Sequence, residues 1–134
     1  MSSGWSVEAF ANFWKKPDPK IVEERAGAIL HPNVHGYWPQ FERPVVGPRD
    51  YVAVIKCIIN LVPDLSMEVL ENASSDDLVF IRWMARGHYR GNSFERSGVD
   101  RLKVCGGIVH ENRIFSDHEL FIEVADSCGN LAAG

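Results

Sequence analysis

The amino-acid sequence predicts an α+β fold, and three observations carry that expectation. Apolar residues recur at helical spacing through the first 62 positions, the period drops to two after Pro63, and the later segments are joined by turn residues rather than by further helices. Helices followed by a run of antiparallel strands are the pattern of an α+β domain, not of a doubly wound parallel sheet. With 134 residues, 46% of them hydrophobic, the chain suits one domain, residues 1–134, with one core. We place that core over residues 5–122. Residues 123–134 turn small and polar after Asp126 and read as a flexible tail.

The helical third resolves into three segments. Val7, Phe10 and Trp14 share one face, Phe13 widens the stripe, and Pro17 stops the helix. Asp18 then caps a second helix with Pro19 in its first turn, where a missing N–H costs nothing. Ile21, Val22, Ala26, Ile29 and Leu30 give it an apolar side, and His31-Pro32-Asn33 ends it. Residues 33–46 read as irregular to extended and are rich in aromatics: Tyr37, Trp38 and Phe41, beside His35. Gly47-Pro48 opens a third helix. Tyr51, Val54, Ile55, Ile58, Ile59, Leu61 and Val62 make it apolar over more than half its circumference, so neighbours should cover most of its sides.

After Pro63 come Leu65, Met67 and Val69, alternating with polar residues as in a half-buried strand. Ser74 to Asp77 reads as a turn, residues 78–90 as a long strand, 91–97 as a loop, and 98–105 and 108–116 as two more strands. The last two are joined at Gly106-Gly107, a dipeptide that tolerates the positive φ of a tight hairpin. Three helices on one face of a strongly bent sheet leave a funnel, and such concavities are where small ligands bind.

Charge and composition narrow the function classes. The formal charge is -4, and the longest basic run is Lys15-Lys16, so an electrostatic grip on nucleic acid or an anionic membrane is not expected. No segment is long and apolar enough to cross a bilayer, and the N-terminus lacks the basic start and apolar stretch of a signal peptide. Cys57, Cys105 and Cys128 form neither a metal-ligand pair nor a two-cysteine redox motif; they read as reduced thiols in a cytoplasmic protein. No metal site is visible, because Pro32 prevents the helix that would align His31 with His35, and no glycine-rich phosphate loop is present. No cofactor is called for.

Several local strings, in their order and spacing, resemble the SnoaL-like polyketide cyclases within the nuclear-transport-factor-2-like superfamily. They are His31-Pro32 followed by Gly36-Tyr37-Trp38-Pro39; Val46-Gly47-Pro48-Arg49-Asp50-Tyr51; Pro63-Asp64-Leu65; Arg82-Trp83 through Gly87-His88-Tyr89-Arg90-Gly91; and Gly98-Val99-Asp100-Arg101, a Gly-Gly turn, then Glu111 to Asp117. The resemblance implies a cone-shaped curved sheet, antiparallel or mixed, with the three N-terminal helices packed on its concave face. It also implies a homodimer formed through the outer sheet face. Family members include aldol-type cyclases, isomerases, dehydratases, epoxide hydrolases and non-catalytic binding modules, so the fold alone leaves the chemistry open.

The resemblance makes Asp117 the leading catalytic candidate, in the place of the Tyr/Phe-x-Asp ending of these families. A carboxylate inside an apolar funnel has a raised pKa and can hold or release a proton near neutral pH. The competing reading is that Asp117 caps the short segment from His118 to Phe121. Many relatives read Gly-Thr-His-x-Gly where this chain has Gly87-His88-Tyr89-Arg90-Gly91, which puts Tyr89 in the His position. Successive strand residues face opposite ways, so one of His88 and Tyr89 enters the pocket. Arg82 and Asp100 form a second candidate pair, either polarising an oxygen of the substrate or serving as a structural ion pair. Arg82-x-Met84 lacks the Asp of the epoxide hydrolases, and the first helix lacks the Tyr of ketosteroid isomerase. Tyr37, Trp38 and Tyr51 are binding candidates, together with Trp14, Ile55 and Asp100, because aromatics offer broad apolar faces with polar tips.

Three functions follow as expectations. The first is a cofactor-free acid/base enzyme of cyclase, isomerase or dehydratase type acting on a hydrophobic, carbonyl-bearing small molecule. The second is a module that binds such a molecule without reaction. The third is a dimerisation domain whose funnel is filled by its own side chains.

Overall fold

The computed structural model describes residues 4–128. Its helical part starts with α1 (Val7–Lys15), whose first turn is closed by Ser6, the Oγ accepting from the Ala9 N–H at 3.0 Å. In α2 (Pro19–Ile29) the Asp18 carboxylate accepts from the Lys20 N–H at 2.7 Å. The third helix, α3 (Pro48–Leu61), begins at Gly47, whose φ of 92° only glycine adopts without strain. Val52, Val54, Ile55, Ile58 and Ile59 are all buried, as a helix apolar on most sides requires.

Six strands follow or interleave: β1 (Leu30–Tyr37), β2 (Val45–Val46), β3 (Ser66–Ser75), β4 (Leu78–Tyr89), β5 (Asn92–Cys105) and β6 (Ile108–Phe115). They form one sheet in the order β2-β1-β6-β5-β4-β3. Every pairing is antiparallel except that of β1 with β6, so the sheet is mixed. It is curved and unclosed, and its register slips at three places, between Leu30 and His35, Val69 and Glu71, and Lys103 and Val104. Such slips bend strands and increase their twist. The α+β expectation, with helices laid on a bent mixed sheet, is what the structure shows.

Three boundaries differ from the sequence reading. Residues expected to end the second helix belong to β1, which accommodates Pro32 at its irregular pairing with β6, where no ladder donor is required. The expected loop over 91–97 is the first half of β5. A two-residue turn at Arg90 (φ 52°) and Gly91 (φ 80°) restarts the ladder at once, pairing Tyr89 with Asn92, just as Gly106 and Gly107 do for the next hairpin. The polar residues there look like a loop in one dimension but are the outward half of an alternation whose inward members are Phe94, Arg96, Gly98, Asp100 and Leu102.

The third difference concerns the C-terminal end. Residues 123–128, read as part of a tail, continue a fourth helix, α4 (Leu120–Cys128), with Val124 fully buried. Its apolar positions, Leu120, Phe121 and Val124, have helical spacing, and the polar residues after them face out. Residues 129–134 of the expected tail lie outside the described residues. Among the described residues no helix is long and apolar enough to cross a membrane.

Candidate active site

Between the helices and the inner face of the sheet lies a cavity of about 140 Å³. Phe10, Phe13 and Trp14 wall it from α1, Val22 and Ala26 from α2, Ile55 and Ile58 from α3, and Leu102 and Val109 from the sheet. Against this apolar wall stand three buried polar side chains: Asp100 (6% exposed), Asn112 (4%) and His118 (7%). All three line the cavity.

Alternation along β4 and β5 decides who faces inward. On β4, Val79, Ile81, Trp83, Ala85 and Tyr89 are buried, while Phe80, Arg82, Arg86 and His88 are exposed. On β5, Asp100 pairs in register with Ile81, and Gly98 with Trp83. Gly98 is required by this packing, since a Cβ there would fall 2.3 Å from Trp83 Cη2 and 2.7 Å from the Phe115 carbonyl oxygen. The indole lies over that gap, and its Nε1–H donates to Asp100 Oδ1 at 2.9 Å.

The network continues across the sheet. Asn112 Nδ2 donates to Asp100 Oδ2 at 3.1 Å and to the Tyr51 hydroxyl at 3.0 Å, so strands β5 and β6 and helix α3 meet in one chain of hydrogen bonds. Trp38 packs edge-on against Tyr51 with ring centroids 4.9 Å apart, and it lies directly over Gly36, where a Cβ would come within 2.2 Å of its ring. Asn112 Oδ1 is buried and has no hydrogen-bond partner.

Burial in this setting pushes the Asp100 carboxyl up to about 6, although the hydrogen bonds from Asn112 and Trp83 hold it down in part. Each of its oxygens accepts one hydrogen bond and keeps a lone pair, so the group can still take a proton. Burial also raises the Tyr51 phenol, so Tyr51 stays protonated and acts as a donor. His118 is lowered, first by burial and then by the nearby Arg96, and is neutral at pH 7. Its Nδ1 accepts from the Leu120 N–H at 2.9 Å, which leaves the proton on Nε2. The Phe94 and Tyr89 rings hold the imidazole edge-on at 4.4 and 5.6 Å.

The expected site residues divide into two groups. Trp14, Trp38, Tyr51, Ile55 and Asp100 line the cavity. The others do not. Asp117, expected to look inward with a raised pKa, has a side chain 83% exposed, makes an ion pair with Arg96 at 3.0 Å, and is held below the usual carboxylate range by that arginine. Arg82 points to the outer sheet face and pairs with Glu71 at 2.9 Å, so it never meets Asp100 on the opposite face. His88 also faces outward, with its Nδ1 2.7 Å from Asp64 Oδ2. Tyr89 does turn inward, yet its hydroxyl donates to Glu123 Oε1 at 2.5 Å rather than lining the cavity. Tyr37 lies beneath the Arg113 guanidinium, 3.9 Å from the ring centroid, outside the lining.

Asn112 and His118 escaped the sequence reading. Period two run through β6 from Val109 would set Glu111 and Arg113 inward. An extra residue, His110, where Val104 pairs with Val109 but Lys103 pairs with Glu111, reverses the alternation and turns Asn112 in. No sequence signal marks that bulge. For His118 a signal existed, since it begins the segment read as a short capped element and it is followed by Leu120 and Phe121.

Comparison with known proteins agrees with this architecture. The model of the family described as SnoaL-like polyketide cyclase matches residues 6–118. A structure from Jannaschia sp. CCS1, assigned as a SnoaL-like polyketide cyclase, superposes with a TM-score of 0.69 at 16% identity, covering 92% of this chain and 90% of that one. A protein of unknown function with a cystatin-like fold from Xanthomonas campestris gives 0.68 at 20% identity, covering 87% and 92%. A Catenulispora acidiphila protein with a ketosteroid isomerase-like fold, in complex with trimethylamine, gives 0.69 at 14% identity, covering 81% and 82%. At these identities the likeness is one of fold. No match was found among curated proteins.

Proposed function

The chain belongs to the SnoaL-like polyketide cyclase family, and from that premise we propose that it catalyses cofactor-free acid/base chemistry on a hydrophobic, carbonyl-bearing small molecule, with Asp100 as the proton-transfer group. One observation carries the reading: the three buried polar side chains, Asp100, Asn112 and His118, all converge on one apolar cavity. A carboxylate with a pKa of about 6 is ionised at neutral pH and basic enough to remove a proton from carbon next to a carbonyl. The C–H bond breaks, its proton goes to Asp100, and its electron pair becomes an enolate. His118 Nε2 is a protonated donor for the developing negative oxygen, in a site walled mostly by apolar side chains. Return of the proton at another position gives an isomerase; attack of the enolate on a second carbonyl gives a cyclase.

The test is exchange of α-protons for deuterium in enolisable cyclic ketones, followed by NMR, with wild type and Asp100→Asn. Loss of exchange by 10²-fold or more in the variant, with a wild-type rate that rises with pH through about 6, is expected. Equal exchange in the two proteins defeats the proposal and leaves a binding module. The outer sheet face, where Phe80 and Phe115 are exposed, is the expected homodimer surface, and sedimentation equilibrium reads it directly.

A further inference from the structure

Asn112 is 4% exposed and lines the cavity, and its two amide hydrogens are committed to Asp100 and Tyr51. The amide cannot be turned over without aiming its carbonyl at the Asp100 carboxylate, so Oδ1 is held without a donor. A buried carbonyl oxygen left unsatisfied is costly, and native interiors seldom leave one. The Tyr51 hydroxyl accepts from Asn112, which leaves its own proton for another acceptor. One hydroxyl group of a ligand meets both needs, giving its proton to Asn112 Oδ1 and accepting the proton of Tyr51.

Size sets a second limit. The cavity is about 140 Å³. A dry engineered cavity of about 150 Å³ accepts one benzene ring. Its wall here is apolar on nearly every side, with Phe10, Trp14, Ile55 and Leu102 among the contributors.

We propose that the cavity takes a compound whose buried part is one six-membered ring bearing a hydroxyl group, recognised by Asn112 Oδ1 and Tyr51. The proposal deepens the reading of this cavity as a small-molecule site, and Asn112 becomes its specificity determinant.

The probes are phenol, toluene and 2-naphthol, titrated calorimetrically into the whole protein. Phenol and toluene have the same number of heavy atoms. In a cavity without a partner for the hydroxyl, toluene wins, because the polar group is buried unpaired. Here phenol should bind at least as tightly as toluene, 2-naphthol no more tightly than phenol, and the phenol-to-toluene affinity ratio should fall at least tenfold in Asn112→Leu. Phenol should also shift the NMR resonances of the Asn112 side-chain amide in wild type, while toluene should leave them in place.

Toluene binding tenfold tighter than phenol to wild type overturns the proposal, as the phenol hydroxyl would then have found no partner in the cavity. So does an unchanged ratio in a folded Asn112→Leu. Binding of 2-naphthol tenfold tighter than phenol overturns the one-ring limit. The wild-type titrations and the amide shifts stand even if the variant does not fold. None of these measurements involves turnover, so a failed deuterium exchange and a failed phenol preference are separate results.

Discussion

Replacing Asp100 with asparagine keeps the shape of the cavity wall and removes the only carboxylate lining it among the described residues. In the folded chain the Asp100 pKa stands near 6 against an ordinary value of 3.8, because burial disfavours the charged form. The fold therefore binds this proton more tightly than the unfolded chain does. The stabilisation from that proton is complete below pH 3.8 and is lost as pH rises through about 6. The difference of about two pKa units corresponds to about 3 kcal/mol of stability. Asparagine has no charge to bury. The gap in unfolding free energy between Asp100→Asn and wild type should thus grow by about 2.4 kcal/mol in favour of the variant between pH 4 and pH 8. Any pH-independent change in hydrogen bonding to Trp83 and Asn112 cancels from that growth. Urea unfolding of both proteins at unit steps of pH reads it directly. A gap that stays constant over the range would refute the reasoning, since it would mean that Asp100 is not ionised at a cost in the fold. A more stable, inactive Asp100→Asn would show the site trading stability for chemistry.

Trp83→Phe removes a donor from the ionised form of Asp100, so the pH at which deuterium exchange reaches half its plateau should move above 6, with about 1–2 kcal/mol of stability lost; a pH–rate profile and urea melts measure both. Gly98→Ala sets a Cβ into the Trp83 ring and the Phe115 carbonyl, and it should cost about 1–3 kcal/mol or more in urea unfolding, because the backbone oxygen has no room to withdraw. Arg82→Ala touches only a surface ion pair, and Asp117→Asn removes a charge that raises His118, so that His118 stays neutral; exchange rates should stay within twofold of wild type in both, and a tenfold loss in either would return that residue to the mechanism. Tyr89→Phe cuts the bond to Glu123 and should speed amide hydrogen exchange along α4 several-fold; unchanged protection would mean that Phe121 and Val124 hold the helix unaided.

How much of this was legible beforehand depended on the range of the interaction. Local chemistry wrote the three N-terminal helices, because a cap such as Asp18, a proline such as Pro19 or Pro48 and an apolar stripe act within a few residues of one another. The same holds for the Gly106-Gly107 hairpin and for the change of period after Pro63. Together these carry the α+β class, and with the string of local motifs they carry the family.

The direction in which a strand residue faces is a different quantity. It depends on register across the sheet, and one extra residue reverses it. The bulge at His110 brought Asn112 to Asp100, and the tight turn at Arg90-Gly91 extended β5 so that Phe94 and Arg96 reached the cavity. Asp117 lies just beyond β6, where the ladder has ended and nothing holds the chain inward, and so its carboxylate turned to Arg96 and solvent. Composition and spacing thus announced a greasy hollow under helices, while the choice of which acid looks into it was made only when strands far apart in the chain were laid side by side.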